Sequence, residues 1–463
     1  MENQSPWLHQ LNRVRPIAQF KGRHRADVVV IGGGIAGIST AYFLLRHTDK
    51  SVTMLEAGNV AHGATGHNGG FLATYFERTF SSLVQEFGLQ LAAEGQREIE
   101  TSWDLLEGMR SDAGLKTPMW QFIGYAACAT YEELLLHLRN NALRQKAGLG
   151  TSLIMVSEEA DCLPDLPEMY RALYTIVPKR KILDVIETDD ESYFAVLPAR
   201  KGAMNSAAFC EELVSYLLSA YAGRFTLAEH TPVKKVVLRK KEAVCRITWS
   251  HAVTAESVVL CTNGFENVTL INKAGLAINE KFHQLVRGIV GYMAGYLEEG
   301  VKKPGEISYL PKDNVHDRDI YDEAPYFYLT RRPFMDNEKE KNLVCIGGPE
   351  ALMDDTNQYR REHPYPEESK IQIDNFLKYT YKHGLKTIDY KFLWHGLMGF
   401  TPNGVRLIGP EPCNPRLLYN LGCNGVGLLP SIYGGRKIAR FVSGEKLEPS
   451  IFDPRDMRLR PNQ

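Results

Sequence analysis

The chain opens, after a short arm, with a hydrophobic pattern typical of a strand, a tight turn and a buried helix. Ala26 to Ile31 is a β-branched run of the kind buried in a parallel sheet, and Ile35 to Leu45 is apolar on nearly every face. Ser51 to Leu55 forms a second β-branched run that ends at Glu56. The pattern predicts a βαβ unit of about thirty residues.

The rest of the chain alternates helical and strand-like periodicity. Helical segments are predicted at 80–109, 132–147, 203–222 and 431–442, and strands at 232–238, 243–249, 257–261 and 343–346. From Phe282 to Leu329 the sequence is aromatic and strand-like, which predicts a second, antiparallel sheet facing a pocket. We therefore expect an α/β plus α+β fold, in which a Rossmann-type domain is joined to a substrate domain with a mixed or antiparallel sheet.

The predicted domains are discontinuous. A loosely structured N-terminal arm covers 1–25 and a C-terminal tail covers 451–463. The cofactor domain combines 26–75, 195–268 and 395–450, and the substrate or cap domain combines 76–194 and 269–394.

The composition of the chain argues against several classes of protein. The chain has 463 residues, 44% hydrophobic, and 54 basic against 55 acidic side chains, so it lacks the basic field that would favour nucleic acid. Its eight cysteines show no C-x-x-C or zinc-ligand spacing, which predicts reduced thiols and no metal site. The N-terminus lacks the apolar stretch of a secretory signal, and no apolar run is long enough to span a bilayer. We expect a cytoplasmic protein with a small-molecule substrate.

The turn between the first strand and helix carries the sequence G-x-G-x-x-G. Gly32 permits the tight turn, Gly34 lets the backbone approach a pyrophosphate, and Gly37 lets helix and strand pack closely. Glu56, nineteen residues after Gly37 at the end of the second strand, can accept hydrogen bonds from ribose hydroxyls. Together these features predict a dinucleotide site.

Later segments separate FAD from NAD. A loop of small residues from Ala57 to Gly70 follows Glu56, where a simple dehydrogenase would begin its next helix. With the strand around Val233, Thr262-Asn263-Gly264, the stretch from Trp394 to Gly409 and the glycine turn 422–427, it resembles the D-amino-acid-oxidase-like family of flavoproteins, particularly its glycine or sarcosine oxidase and gamma-glutamylputrescine oxidase branches.

The resemblance implies FAD as cofactor and extends over nearly the whole chain. It implies that the following residues bind it: Gly32, Gly34, Ile35, Ala36, Gly37, Glu56, Ala57, Ala64, Thr65, Gly66, His67, Asn68, Gly69, Val233, Thr262, Gly264, Gly396, Asn424, Gly425, Val426, Gly427 and Leu428.

Two alternatives remain for how the flavin is attached to the protein. In one branch of the family a histidine in a G-x-T-x-H-x-x-G loop carries the flavin covalently, and the loop from Gly63 to Gly70 matches that spacing through His67. In another branch an arginine at this position only borders the cofactor. Gly396 stands where attachment through cysteine would need a thiol. Noncovalent FAD is the preferred prediction, and a covalent bond through His67 is the alternative.

The substrate is predicted from a departure from the family pattern. Members that oxidise α-amino acids often carry an arginine after the W-x-G-L stretch, where this chain has Met398, and a thioether cannot neutralise a carboxylate. Arg331 and Arg332 are possible substitutes, but a framework role is favoured for them. The resemblance therefore implies oxidation of the C–N bond of a small amine or amino-acid-like substrate, with hydride transfer to flavin N5.

Three residues are candidates for catalysis. His395 could exchange protons near neutral pH, Tyr328 is expected on a strand of the substrate domain, and Arg287 could bind substrate. A structural role is the competing interpretation for each. Other functions left open are the same fold acting on a hydroxy acid or a tRNA side chain, and a flavin-binding protein without turnover. The electron acceptor and oligomeric state stay undetermined.

Overall fold

The structure is a computed structural model. It describes residues 3–17, 20–265, 267–300, 303–310, 326–353, 355–381 and 388–455, without the side chain of Asn357. Tyr321, part of the predicted aromatic strand segment, and residues 456–463 of the predicted tail lie outside the described residues.

Helices and strands alternate along most of the described chain. The α-helices are α1 (Pro6–His9), α2 (Ile35–His47), α3 (Phe80–Phe87), α4 (Leu89–Glu100), α5 (Ser102–Ala113), α6 (Tyr131–Lys146), α7 (Lys179–Val185), α8 (Ser206–Ala220), α9 (Asn279–His283), α10 (Glu367–Tyr379) and α11 (Leu428–Val442). The strands are β1 (Arg23–Ile31), β2 (Val52–Leu55), β3 (Phe71–Leu72), β4 (Met119–Cys128), β5 (Ile154–Ser157), β6 (Tyr174–Val177), β7 (Ala195–Met204), β8 (Phe225–Ala228), β9 (Lys235–Leu238), β10 (Ala243–Arg246), β11 (Ala252–Leu260), β12 (Thr269–Asn272), β13 (Arg287–Glu298), β14 (Gly305–Tyr309), β15 (Phe327–Asp336), β16 (Lys339–Met353), β17 (Phe392–Phe400), β18 (Leu407–Glu411) and β19 (Asn414–Leu421).

The first sheet contains the predicted βαβ unit. Its order is β12-β9-β10-β11-β1-β2-β8, with β19 beside β11 and β18 beside β19. Strand β1 pairs in parallel with β2 and β11, and β11 pairs in parallel with β19. Helices α2 and α11 pack against each other. Because β1, β11 and β19 are parallel, the turns that follow all three meet at one edge of the sheet.

The second sheet confirms the prediction of a second, mixed sheet. Its order is β17-β13-β16-β15-β14-β4-β7-β5-β6, with β3 beside β7. Most pairs are antiparallel, while β4 with β14 and β5 with β6 are parallel. The side chains of Ala294, Val344 and Ile346 are fully buried between this sheet and α10. The fold is thus a Rossmann-like sheet joined to a large mixed sheet.

Sheet membership differs from the predicted domain boundaries at four strands. The predicted boundaries place β3, β7 and most of β17 in the cofactor domain, but all three strands lie in the second sheet. They place β12 in the substrate domain, but it pairs with β9 of the first sheet. Each of these strands lies where the chain crosses between the sheets, and its partner is distant in sequence.

The described part of the N-terminal arm is ordered, contrary to the expectation of a loose segment. Ser5 caps the short helix α1, and Trp7 is only 1% exposed. Arg13 and Arg15 form ion pairs with Glu211 and Glu229. Because these partners lie some two hundred residues away in sequence, local periodicity did not reveal them. Strand β1 also begins earlier than predicted, at Arg23 rather than Ala26.

The predicted helical stretch 80–109 is divided into α3, α4 and α5. Gly88 has φ +80° and separates α3 from α4, since a left-handed residue ends the helical hydrogen-bond ladder. All eight cysteines are free thiols. No helix in the described part of the chain is long and apolar enough to cross a bilayer.

Candidate active site

The first glycine turn connects β1 to α2 at the edge where the parallel strands end. Gly32 has φ +109°, and a Cβ there would lie 2.5 Å from the carbonyl oxygen of Cys261. A Cβ at Gly37 would overlap the carbonyl of Gly32. Gly34 is the N-cap of α2 and provides no side-chain cap, so the helix N-terminus presents backbone N–H groups. The turn therefore has the close packing and open donors that a pyrophosphate requires.

Glu56 joins this turn to the following loop. Its Oε2 accepts a hydrogen bond from the Gly33 N–H at 2.6 Å, and its Oε1 accepts one from the Gly58 N–H at 2.7 Å. The carboxylate keeps further lone pairs, since each oxygen can accept more than one bond. Glu56 thus holds the backbone of its own site while remaining able to accept from ribose hydroxyls.

The 57–70 loop folds back onto the glycine turn. The Ala61 N–H donates to the carbonyl of Gly33 at 2.9 Å, and the Ile35 N–H donates to Thr65 Oγ1 at 3.0 Å. A Cβ at Gly34 would lie 2.9 Å from the same Thr65 oxygen. The Asn68 amide donates to the carbonyl of Thr65 at 2.6 Å. These bonds fix the loop directly above the first turn of α2.

The N-terminal arm contacts the outer side of this loop along its length. Ser5 donates to the carbonyl of Gly66, and Trp7 Nε1 donates to the carbonyl of Asn68 at 2.6 Å. Arg13 donates to Asn59 Oδ1 at 3.0 Å. Sequence reasoning missed the role of the arm.

The second glycine turn, 422–427, connects β19 to α11 at the same edge. Asn424 and Gly425 have φ values of +46° and +74°. Asn424 Oδ1 accepts a hydrogen bond from the Thr401 N–H at 2.8 Å, which fixes the turn against the end of β17. Helix α11 begins at Leu428. The structure therefore brings the two glycine turns and their helix N-termini together.

An orphaned polar atom at the same edge tests whether a dinucleotide fits. Thr262 follows β11, and its hydroxyl is buried without a hydrogen-bond partner among the described residues. A buried hydroxyl without a partner is costly, and a polar ligand removes that cost. Val233 is buried in the core beneath this part of the sheet, and Gly264 has φ +98°. The residues present fit FAD.

His67 lies inside the 57–70 loop and is 8% exposed. Its Nδ1 lies 3.0 Å from the carbonyl oxygen of Gly63. Burial lowers the pKa of His67 to about 4, opposed by the bond to Gly63 and reinforced by the charge of Arg361. His67 is therefore neutral at pH 7. A Cβ at Gly396 would lie 2.5 Å from the His67 carbonyl oxygen, so β17 packs directly against the loop.

The face of the second sheet nearest the glycine turns is made of small residues with a few large side chains. Gly291 pairs with Gly396 across β13 and β17, and a Cβ at Gly291 would lie 3.0 Å from the Met398 methyl group. Tyr328 covers Gly347, and a Cβ at Gly69 would lie 3.1 Å from its ring. Tyr328 therefore lies between the sheet and the loop.

His395 occupies a different environment from the one expected. It follows the side-chain alternation of β17, so its side chain points to the face opposite Gly396. Its Nδ1 lies 3.1 Å from the Tyr359 hydroxyl and its Nε2 lies 3.1 Å from the His363 carbonyl oxygen, and it is 2% exposed. Burial lowers the pKa of His395. These contacts favour the structural role for His395.

Two of the three candidate arginines, Arg331 and Arg332, are held by framework contacts. Arg331 forms a bidentate ion pair with Glu187, and Arg332 donates to the carbonyls of Gly69, Gly70 and Met204. Arg287 is exposed at the start of β13.

A cluster that sequence reasoning missed lies beside the second glycine turn and the 57–70 loop. A Cβ at Gly425 would lie 2.7 Å from Glu77 Cγ, and the Tyr326 hydroxyl donates to Glu77 Oε1 at 3.1 Å. Tyr326 and Tyr328 have ring centroids 6.1 Å apart. No motif or periodicity in the sequence marks Glu77, which lies in the connection between β3 and α3. Among the described residues, no group of three or more histidine, cysteine and acidic side chains is placed to hold a metal ion.

Comparison with known proteins supplies the family. Residues 27–441 match the model of the DAO family, whose description is FAD dependent oxidoreductase. The putative oxidoreductase TDA3 of Saccharomyces cerevisiae is 36% identical over 105 residues, 21% of this chain and 19% of that protein. Gamma-glutamylputrescine oxidoreductase of Escherichia coli is 32% identical over 81 residues, 18% of this chain and 19% of that protein. The chain thus aligns with about a fifth of the length of these curated relatives.

A solved structure shares the fold over almost the whole chain. Glycine oxidase from Geobacillus kaustophilus superposes with a TM-score of 0.64, covering 93% of this chain and 98% of that one. The sequence identity is 17%, so this likeness concerns the fold alone.

Proposed function

The chain belongs to the DAO family of FAD-dependent oxidoreductases, and we propose that it oxidises the C–N bond of a small amine that lacks an α-carboxylate. The observation that carries the proposal is the composition of the sheet face beside the glycine turns. Met398 lies there next to Gly291, where α-amino-acid oxidation would be served by a cation.

The nearest arginines support this choice of substrate. Arg331 is paired with Glu187, and Arg332 is only 3% exposed, with Nη1 and Nη2 both donating to backbone carbonyls. Binding a substrate carboxylate through either would require breaking those interactions.

The chemistry is divided between cofactor and protein. When bound, FAD supplies the hydride acceptor at N5. The protein holds the substrate so that the carbon next to nitrogen faces this acceptor, and the nitrogen must be neutral when the hydride leaves. Carbon loses a hydride and nitrogen loses a proton, giving an imine that water hydrolyses to a carbonyl compound and the released amine. Tyr328 and Met398 exclude water from the reacting carbon, and Tyr328 orients the substrate. Burial raises the pKa of Tyr328, so its hydroxyl stays protonated at neutral pH.

Noncovalent FAD is the proposed form of the cofactor. The His67 ring is neutral, and its Nδ1 faces the carbonyl of Gly63. The backbone of Asn3, in the N-terminal arm, also contacts the ring. These protein contacts account for the orientation of the ring without a bond to the flavin. Gly34, Glu56, Thr65, Thr262 and the 422–427 turn are the proposed cofactor contacts.

Anaerobic titration tests the proposal. Purified protein should be yellow, mass spectrometry of the released cofactor should give FAD, and at least one member of a panel of alkylamines should bleach the flavin. Hydroxy acids and α-amino acids of the same chain length form the comparison series. Release of NAD alone, or bleaching by a hydroxy acid but by no amine, would contradict the proposal.

A further inference from the structure

Arg406 is a buried cation next to the second glycine turn. It ends the connection between β17 and β18 and is only 5% exposed. Its Nη1 donates to the carbonyl of Gly422 at 3.2 Å. Its Nε donates to Asn420 Oδ1 at 2.7 Å, and its Nη2 donates to the Asn420 carbonyl at 3.0 Å. The guanidinium is therefore fixed to the segment where β19 ends and the glycine turn begins.

Asn420 connects this guanidinium to the first turns of the two helices that begin at the cofactor edge. Its Nδ2 donates to the carbonyl of Ser431 in α11 at 3.1 Å and to the carbonyl of Ala36 in α2 at 3.4 Å. A Cβ at Gly434 would overlap the Asn420 amide, so α11 packs directly against it. Arg406 is thus one side chain away from the N-terminal turns of both helices.

The charge of Arg406 is not balanced by a carboxylate. Its three hydrogen bonds go to two backbone carbonyls and one amide oxygen, and no acidic side chain forms an ion pair with it in the described part of the chain. Burial lowers the pKa of Arg406, an effect that Cys423 and Cys261 oppose, and a guanidinium still remains protonated at pH 7. The interior next to the glycine turn therefore contains a net positive charge.

Other buried cations of the chain have a partner that offsets their charge. Lys437 in α11 pairs with Asp453 at 2.6 Å. The guanidinium of Arg332 lies over the Trp7 ring, 4.2 Å from its centroid, and a cation is attracted to an aromatic face. Among the described residues, Arg406 has neither a carboxylate nor an aromatic ring as a partner.

An unbalanced cation at this place is unfavourable in the protein alone. Burying a charge without an opposite charge costs free energy, and the N-termini of α2 and α11 add positive partial charge at the same edge of the sheet. An anion bound at these helix N-termini offsets both effects. The diphosphate of FAD, which the glycine turns are proposed to hold, carries the charge that is required.

We propose that Arg406 is the fixed positive charge that attracts the FAD diphosphate from behind the second glycine turn. Its donors are bound to Asn420 and Gly422, so it acts through its charge and not through a hydrogen bond to the cofactor. The backbone N–H groups of the turns remain the direct contacts. This inference rests on FAD as the cofactor and does not depend on which amine the protein oxidises.

Calorimetric titration of the full-length chain freed of FAD tests this role with ADP and adenosine, which differ by the diphosphate. Arg406→Gln should lower the preference for ADP over adenosine at least about tenfold, because a charge in the weakly polarisable interior acts over several ångströms. Arg406→Lys keeps the cation and should keep most of the preference, although it cannot form the same three hydrogen bonds. Loss of those hydrogen bonds alone would weaken the binding of ADP and adenosine equally.

Asn420→Asp balances the same cation without removing it. The new carboxylate would replace the amide oxygen that accepts from Arg406 Nε, and the preference for ADP should fall as it does in Arg406→Gln. Lys437→Gln is the matched control, because it removes a buried cation of α11 that Asp453 already balances, and it should keep the full preference. Circular dichroism and thermal melting show that each variant is folded.

The dissociation constant of FAD should rise by the same factor as that of ADP. An unchanged preference for ADP in Arg406→Gln and Asn420→Asp, or an equal loss of ADP and adenosine binding, would overturn the role of Arg406 while leaving FAD binding and amine oxidation in place. If Arg406→Gln does not fold, Asn420→Asp and Arg406→Lys decide between the two roles. A wild-type chain that binds neither FAD nor ADP would overturn the cofactor site and this inference together.

Discussion

The ion-pair cluster that fastens the N-terminal arm should control how tightly the 57–70 loop is held. Glu229 is 1% exposed, and its Oε1 accepts from the Val60 N–H at 2.7 Å and from Arg13 at 3.0 Å. Its Oε2 accepts from Arg15 at 2.6 Å. Since Val60 follows the Glu56 end of the cofactor site, Glu229 connects the arm to the loop that borders FAD.

Replacing Glu229 by glutamine keeps the side-chain volume but removes the charge. Breaking a buried ion pair by changing one partner costs about 3–5 kcal/mol. The lower end applies here, because Glu211 remains as a partner and the Arg13 side chain is 16% exposed. At about 2.1 cal/mol/K per residue, the 463 residues give an unfolding entropy of about 1 kcal/mol/K, so a loss of about 3 kcal/mol lowers the temperature at which unfolding releases FAD by about 3 °C.

Flavin fluorescence during heating measures the release directly. Glu256→Gln is the control, because Glu256 pairs with Lys50 at the surface and such pairs contribute at most about 1 kcal/mol. Equal release temperatures for Glu229→Gln and Glu256→Gln would refute the role assigned to the arm.

The same cluster predicts a pH dependence with a definite sign. Burial raises the pKa of Glu229, but the hydrogen bonds from Arg15 and Val60 and the charges of Arg15 and Arg13 outweigh it, so the pKa lies below its ordinary value. A lowered carboxyl pKa gives stability that is present above the unfolded-state pKa of about 4.3 and is lost as the pH falls through the folded-state pKa. The difference between wild type and Glu229→Gln should therefore be full at pH 7 and shrink below about pH 4.

Three further predictions concern the cofactor and the substrate. Gly34→Leu should abolish FAD retention, because its side chain would collide with Thr65 and occupy the place of the pyrophosphate. Glu56→Ala should weaken FAD binding by about 1.5–3 kcal/mol for each charged hydrogen bond lost. FAD dissociation constants that rank the two variants in the opposite order would count against the placement of the turn. Acid precipitation should leave the flavin in the supernatant, while a yellow pellet that becomes colourless in His67→Ala would establish a covalent bond. Met398→Arg should allow α-amino acids to bleach the flavin anaerobically, and an unchanged response to them would show that this position does not face the substrate carboxylate.

The cofactor turn was predictable because its determinants are local. The spacing of Gly32, Gly34 and Gly37 after a buried strand requires neighbours within one βαβ unit, and the structure places Glu56 beside the turn as expected. The second turn at Gly425 was located from the family resemblance, and parallel pairing of β1, β11 and β19 brings it to the same edge.

The residues whose positions the sequence did not predict are placed by contacts between distant parts of the chain. His395 and Gly396 are adjacent, and only the register of β17 against β13 decides which of them faces the loop. Trp7 packs against Gly70, and its ring centroid lies 4.2 Å from Cζ of Arg332. No local sequence pattern predicts these contacts. Glu77 likewise contacts Gly425 and Tyr326, which follow it in the sequence by more than two hundred residues.

Anaerobic reduction by a substrate pair that differs only in the carboxylate tests amine oxidation most directly. In 1-aminobutane and 2-aminopentanoate the same amine-bearing carbon carries either hydrogen or a carboxylate. With Met398 on the substrate face, the account predicts that the amine bleaches the FAD of the wild-type protein and that the amino acid leaves it oxidised at the same concentration. Bleaching by the amino acid with none by 1-aminobutane would contradict the account.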